Sequence, residues 1–216
     1  MSRERGRFIT IEGIEAVGKS TQVARASEWL TRLGVDHIVT REPGGTPLAE
    51  SIRQLVLQPR TESLPPIAEL LLMFSARAVH LTNLIEPALQ AGRWVLCDRF
   101  TDATFAYQGA GRGIEAQAIG QLEALVQRGL QPDLTLLLDL PVTKGLSRAA
   151  SRGGQQDRFE SERVEFFERV RAGYLQRAAA APRRFRVIDA GPAIETVSEH
   201  IAAALGELLA RPGSGG

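Results

Sequence analysis

The chain has 216 residues, 44% of them hydrophobic and 24% charged, with a formal net charge of +1. That length supports one core and a single domain over 1–210, and the near-neutral charge supplies no global field to recruit nucleic acid or an anionic membrane. Its one cysteine, Cys97, cannot form an internal disulfide, which fits a reducing cytosol.

From the N-terminus, Met1 to Arg7 is charged, but the apolar run behind it stops at Glu12, too short for a signal-peptide core. No stretch reads as the roughly 20 apolar residues of a membrane span. The expected location is therefore the cytoplasm. Phe8 to Ile11, His37 to Thr40, Trp94 to Cys97, Leu134 to Asp139 and Phe185 to Ile188 are short, rich in Val, Ile and Leu, and unalternating. Such runs suit strands covered on both faces. Helical spacing follows each: Thr21 to Leu33; Leu70, Met73, Phe74 and Arg77; Ile119 to Val126; Glu162 to Ala180; and Ile194 to Leu209. Gly34, Gly92 and Gly129 stand where helix C-caps belong. The alternation predicts an α/β domain, a doubly wound parallel five-stranded sheet flanked by helices. Ligands in such sheets bind beyond the carboxyl ends of the strands. His37, His80 and His200 show no metal-ligand spacing, and 211–216 reads as a flexible tail.

Directly after the first run stands Gly13-Ile14-Glu15-Ala16-Val17-Gly18-Lys19-Ser20, followed by Thr21. It matches G-x-x-x-x-G-K-[ST] with a strand before it and a helix after it. Glycines allow the backbone to wrap phosphates, and the helix N-terminus adds partial positive charge. Lys19 would bridge the β- and γ-phosphates of ATP, and the Ser20 hydroxyl would hold Mg²⁺. Lys19 and Lys144 are the only lysines among 26 basic residues.

The phosphate loop alone does not separate a kinase from a GTPase switch or a motor. Neither lysine follows an asparagine, so the guanine-reading Asn-Lys-x-Asp segment is missing, as is a D-x-x-G segment after the third strand. That strand ends instead in Asp98-Arg99. Asp98 could orient Mg²⁺ through water or cap a helix, and Arg99 could clamp a second phosphate.

Glu12-Gly13-Ile14-Glu15 with Gly18-Lys19-Ser20-Thr21, Thr40-Arg41-Glu42-Pro43-Gly44-Gly45-Thr46, Phe74-Ser75-Ala76-Arg77, Asp98-Arg99-Phe100, Ala106-Tyr107-Gln108-Gly109 and Asp157-Arg158-Phe159-Glu160 occur in one order. Together they resemble the bacterial thymidylate kinases, of the nucleoside monophosphate kinase group with a phosphate loop, from about Phe8 to Leu209. The resemblance implies ATP-dependent, Mg²⁺-dependent phosphorylation of thymidine monophosphate to the diphosphate. The nearest alternative is a kinase for another pyrimidine nucleotide or a deoxynucleoside, and the rival outside the kinases is a nucleotide-dependent switch. Ala16 stands where the family usually has glycine, and Phe100 where Tyr or His is commoner.

On that resemblance Glu15 approaches the acceptor's 3′-hydroxyl and metal-bound waters, and Pro43 sits against the thymine methyl. Thr104 and Gln108 read the pyrimidine edge, and Tyr107 crowds the sugar's 2′ position. Phe74 and Arg77, three apart on a helix, could stack on a base and donate to its O4 carbonyl, though an apolar ring is as readily core. Arg148 and Arg152 are spaced i, i+4 before Gly153-Gly154, Asp157 and Arg158. This predicts a helical lid over about 145–160 whose guanidiniums close on ATP. In the resembling bacterial kinases a lid arginine supplies the catalytic cation because the phosphate loop lacks one; Ile14 to Val17 likewise include none, so the resemblance implies Arg152, assisted by Arg148 and Arg158. The resemblance also implies a homodimer through helices.

Overall fold

The computed structural model describes residues 4–59, 61–152, 158–159 and 162–211, with the side chains of 149–152 outside that description. The predicted hinge glycines 153–154, Asp157, Glu160 and the tail 212–216 also fall outside it.

Five parallel strands form one sheet in the order β2-β3-β1-β4-β5. They are β1 (Phe8–Glu12), β2 (His37–Arg41), β3 (Trp94–Asp98), β4 (Leu134–Asp139) and β5 (Phe185–Asp189). Every residue of β1 is buried, as a central parallel strand covered on both faces requires. The edge strands depart from that expectation. Val39 on β2 and Val187 on β5 are each about half exposed, because helices cover a sheet edge incompletely.

The helices are α1 (Lys19–Arg32), α2 (Pro47–Leu57), α3 (Pro66–His80), α4 (Glu86–Gln90), α5 (Thr101–Thr104), α6 (Ala116–Gln127), α7 (Val142–Arg152), α8 (Val164–Ala180) and α9 (Ile194–Ala210). Thr46 caps α2, its side chain accepting from Ala49 N, with Pro47 at the first helical position. Gly34, Gly92 and Gly129 all have positive φ after their helices, as predicted.

Two π-helical turns, 81–85 and 105–111, were not foreseen. The first lies just before Pro87, which cannot donate to a regular helix and crowds the carbonyl four residues back. It joins α3 to α4 into one helical run from Pro66 to Gln90, long and apolar enough by length and composition to cross a membrane. Its inner face nevertheless carries Glu69, Arg77 and His80, all buried and all paired with other elements of the domain.

The second π turn packs along α8. A Cβ on Gly173 would lie 2.7 Å from Ala110 Cβ, so only glycine lets the helices approach. Asp102 of α5 ties the same helix down, accepting from Arg177 Nε at 2.9 Å, and it also accepts from Arg184 Nη2, just before β5, at 3.0 Å. Residues 99–111 are thereby fixed over the ends of β1 and β3.

Candidate active site

The carboxyl ends of β1, β2 and β3 open onto a cavity of about 300 Å³. In the phosphate loop Ile14 and Val17 bury their side chains in the core. Gly13 has φ 142 and Gly18 φ 95, and a Cβ on Gly13 would sit 2.5 Å from Leu138 O. Ala16 adopts φ 60, the left-handed region, where a Cβ costs about 1–2 kcal/mol. Lys19 Nζ reaches back to Ile14 O at 2.9 Å and Gly13 O at 3.2 Å. Burial, then the neighbouring Arg99 charge, lowers its pKa, while Glu15, Asp98 and Glu12 oppose the fall. Ser20 and Thr21 line the cavity from the start of α1.

Arg99 is the hub of the cavity. Its backbone is left-handed, φ 71, and is held by Arg99 N donating to Ile11 O at 3.0 Å and Phe100 N to Glu12 Oε1 at 2.7 Å. Its guanidinium donates to Glu15 Oε1 at 2.7 Å, Gly13 O at 2.8 Å, the Tyr174 hydroxyl at 2.9 Å and the Tyr107 hydroxyl at 3.1 Å. Tyr107 in turn donates to Glu15 Oε1 at 3.0 Å.

Two acids here behave oppositely. Burial alone would raise Glu15, but Arg99, Lys19, the Tyr107 hydrogen bond and Arg53 hold it down at about 2. Burial and then the Asp102 charge push Glu12 up to about 8, against Arg99 and the hydrogen bonds from Tyr174 and Phe100 N. Tyr174 donates to Glu12 Oε2 at 2.8 Å.

Asp98 lines the cavity, and its Oδ1 is buried without a hydrogen-bond partner. Pro43 also lines it, behind a cis Glu42–Pro43 peptide bond. Phe74 packs with Leu70 and Ile119, its ring centroid 4.8 Å from the Arg77 guanidinium carbon, and its neighbour Met73 lines the cavity. At 100° per residue a helix turns one of two adjacent side chains away. Phe159, near the C-terminal end of the predicted lid, contributes a ring to the wall.

Arg77 is also deeper than expected. Nε donates to Glu42 Oε2 at 2.8 Å and Nη2 to Thr104 Oγ1 at 3.0 Å, while Nη1 is buried without a partner. Thr104 therefore stands behind the wall, bonded to Arg77. His80 supports the same carboxylate, with Nδ1 3.0 Å from Glu42 Oε1 and Nε2 2.7 Å from Thr40 Oγ1. Gln108 lines the cavity; its Nε2 donates to Glu69 Oε1 at 2.7 Å, and its Oε1 is buried without a partner.

Arg148 and Arg158 are not brought together at the loop. Arg148 donates to Ala190 O at 2.9 Å and Gly191 O at 3.3 Å, joining α7 to the turn after β5. Arg158 donates to Val56 O at 3.1 Å and pairs with Glu69. Arg152 ends α7, and its side chain is outside the description. Arg53, Glu12 and Tyr174 were missed in the sequence. Arg53 lines the cavity from α2 and donates to Pro43 O at 2.9 Å; Arg41 lines it too and pairs with Glu50 at 2.9 Å. A Pro-capped, amphipathic 47–57 was the signal available for Arg53.

Comparison with known proteins agrees with this geometry. The thymidylate kinase family profile matches residues 11–201. The chain is 61% identical over 206 residues to the thymidylate kinase of Chromohalobacter salexigens, covering 95% of this chain and 97% of that protein. It is 56% identical to that of Teredinibacter turnerae, covering 94% and 99% respectively. The crystal structure of thymidylate kinase from Ehrlichia chaffeensis superposes with TM-score 0.77 at 34% identity, over 93% of this chain and 99% of that one. With the phosphate loop, the Arg99 hub and the parallel sheet in place, the chain belongs to the thymidylate kinase family.

Proposed function

We propose that this enzyme transfers the γ-phosphoryl group of ATP to thymidine monophosphate, in the cavity between the phosphate loop and residues 99–111. The observation that carries the acceptor assignment is a pair of buried, unpartnered atoms, the donor Arg77 Nη1 and the acceptor Gln108 Oε1. Thymine offers a C4 carbonyl and an N3–H, the complement of that pair. Cytosine offers a C4 amino group and a bare N3, which would set donor against donor and acceptor against acceptor. A site built on buried hydrogen bonds rejects the wrong partner by about 10⁴-fold or more. This favours thymidylate over the alternative of another pyrimidine nucleotide. Pro43, Leu57 and Met73 give an apolar wall suited to the 5-methyl group.

For Mg²⁺, the orphaned Asp98 Oδ1 and the cavity-facing Ser20 form a suitable set of hard oxygen donors. No group of three or more His, Cys, Asp or Glu that could hold a metal ion occurs among the described residues; Mg²⁺ typically keeps waters and takes ligands from a nucleotide. When bound, it would neutralise charge on the β- and γ-phosphates.

The protein's own part is positioning. Lys19 leaves its loop carbonyls for phosphate oxygens. Arg99, oriented by ionised Glu15 and by Tyr107 and Tyr174, faces the acceptor phosphate. Tyr107 sits against the sugar, and Glu15 near its 3′ side. Arg152, at the end of α7, closes over the transferring group with Arg148 and Arg158. No strong base is needed, because orientation and electrostatics carry such reactions.

Exposed Ile67 and Leu71 on α3 and Leu125 on α6, with α3 packed on α6, support a homodimer through these helices. The buried free thiol of Cys97 suits a cytoplasmic enzyme. The deciding experiment is ADP release with Mg²⁺ across thymidine, deoxyuridine, deoxycytidine and adenosine monophosphates. Thymidine monophosphate should lead; equal or greater turnover of deoxycytidine monophosphate would refute the acceptor assignment.

A further inference from the structure

A side-chain amide has a donor end and an acceptor end, so the way it is turned decides which base edge it can read. In Gln108 that choice is made by a residue outside the cavity lining. Glu69 of α3 is fully buried, and its Oε1 accepts from Gln108 Nε2 at 2.7 Å. Its Oε2 accepts from Arg158 Nη2 and lies 3.6 Å from Arg112 Nε. A carboxylate facing two guanidiniums offers only acceptors. Turning the Gln108 amide over would press its oxygen against that carboxylate in a dry interior, and would leave its NH₂ facing the cavity.

We infer that Glu69 is a positioning residue for base specificity: by taking the NH₂ of Gln108, it fixes Oε1 toward the acceptor base as a hydrogen-bond acceptor. The amide then accepts from the N3–H of a thymine or uracil ring and opposes the bare N3 of cytosine. This rests on the reading of Gln108 as a residue that faces the base.

The test is kcat/KM for thymidine and deoxycytidine monophosphates in the wild type, Glu69→Gln, Gln108→Ala and the double variant. A neutral amide at 69 can accept or donate, so Gln108 is freed to turn. Glu69→Gln should lower the thymidine-to-deoxycytidine ratio by about 10-fold or more, and should leave the ratio unchanged when added to Gln108→Ala. A merely structural role would lower both substrates alike and would act without Gln108; either result overturns the inference. Because Glu69→Gln deprives two guanidiniums of a partner, an exchanged pair provides a second variant. Gln108→Glu alone places two carboxylates together and should lose thymidine monophosphate turnover. Gln108→Glu combined with Glu69→Gln should recover it, with cytosine still rejected. Failure of the exchange to recover turnover also overturns the inference. A wild type inactive on thymidine monophosphate would instead strike the kinase assignment, and this role with it.

Discussion

Replacing Glu12 by Gln should change the pH dependence of stability more than stability itself. The Glu12 carboxyl is fully buried between Phe100 N and the Tyr174 hydroxyl, and burial with the Asp102 charge raises it from 4.5 to about 8. Below pH 4.5 the folded and unfolded chains both hold this proton. Between 4.5 and about 8 only the folded chain holds it, so the wild type loses stability as pH rises through that window and no further above it. At about 1.4 kcal/mol per pH unit, the loss reaches about 5 kcal/mol. A glutamine cannot titrate. It keeps an acceptor for Phe100 N but disturbs the chain Arg99 to Tyr174 to Glu12, a constant cost of about 1 kcal/mol. Urea or thermal unfolding of both proteins from pH 5 to 9 at fixed ionic strength checks this. The variant should be slightly weaker near pH 5 and stronger by several kcal/mol at pH 9, a swing of about 8–16 °C in the difference of Tm for a chain of this size. A difference that stays flat across that range would refute the protonated, buried Glu12.

Arg152→Ala should lower kcat by two or more orders of magnitude while thymidine monophosphate binding, followed by calorimetry, is unchanged. Equal turnover would remove Arg152 from the mechanism. Ala16→Gly relieves a left-handed alanine at φ 60 but loosens the unfolded chain, so a net gain of about 0.5–1 kcal/mol is expected by denaturation. Gly173→Ala forces a Cβ to within 2.7 Å of Ala110 Cβ, and should cost about 1–3 kcal/mol and lower kcat through displacement of 105–111, read by melting and steady-state kinetics.

What the sequence disclosed follows the range over which each signal acts. The phosphate loop is a run of adjacent residues and was legible whole, as were five strands whose apolar runs met the observed ends within a residue or so. Met73 and Phe74 are adjacent apolar residues on a helix, and which of them lines the cavity is set by the phase of α3 against its neighbours, which no local pattern states. Glu69, Arg77 and His80 carried a signal that went partly unused, since ionisable residues inside an apolar helix need partners to be buried. Their partners, Gln108, Glu42 and Thr40, come from other segments, so pairing was not readable in advance. The π turn at 81–85 had a cue in Pro87, whereas 105–111 had none.

The oppositely shifted acids explain how one crowded site stays receptive to anions. Lys19, Arg99, Arg41 and Arg53 surround the cavity, and a polyphosphate with its acceptor requires that excess of positive charge. One carboxylate must nevertheless stand among them, because Arg99 occupies strained backbone and needs partners to orient its guanidinium. Glu15 fills that place, ionised down to about pH 2. A second ionised carboxylate at Glu12 would compete with phosphate for Arg99 from behind. Its protonated form still fixes Phe100 N and the Tyr174 hydroxyl while adding no charge. The same contacts that orient Arg99 thus leave its charge available to an anion in the cavity, and the cost is carried by the folding of the domain rather than by binding.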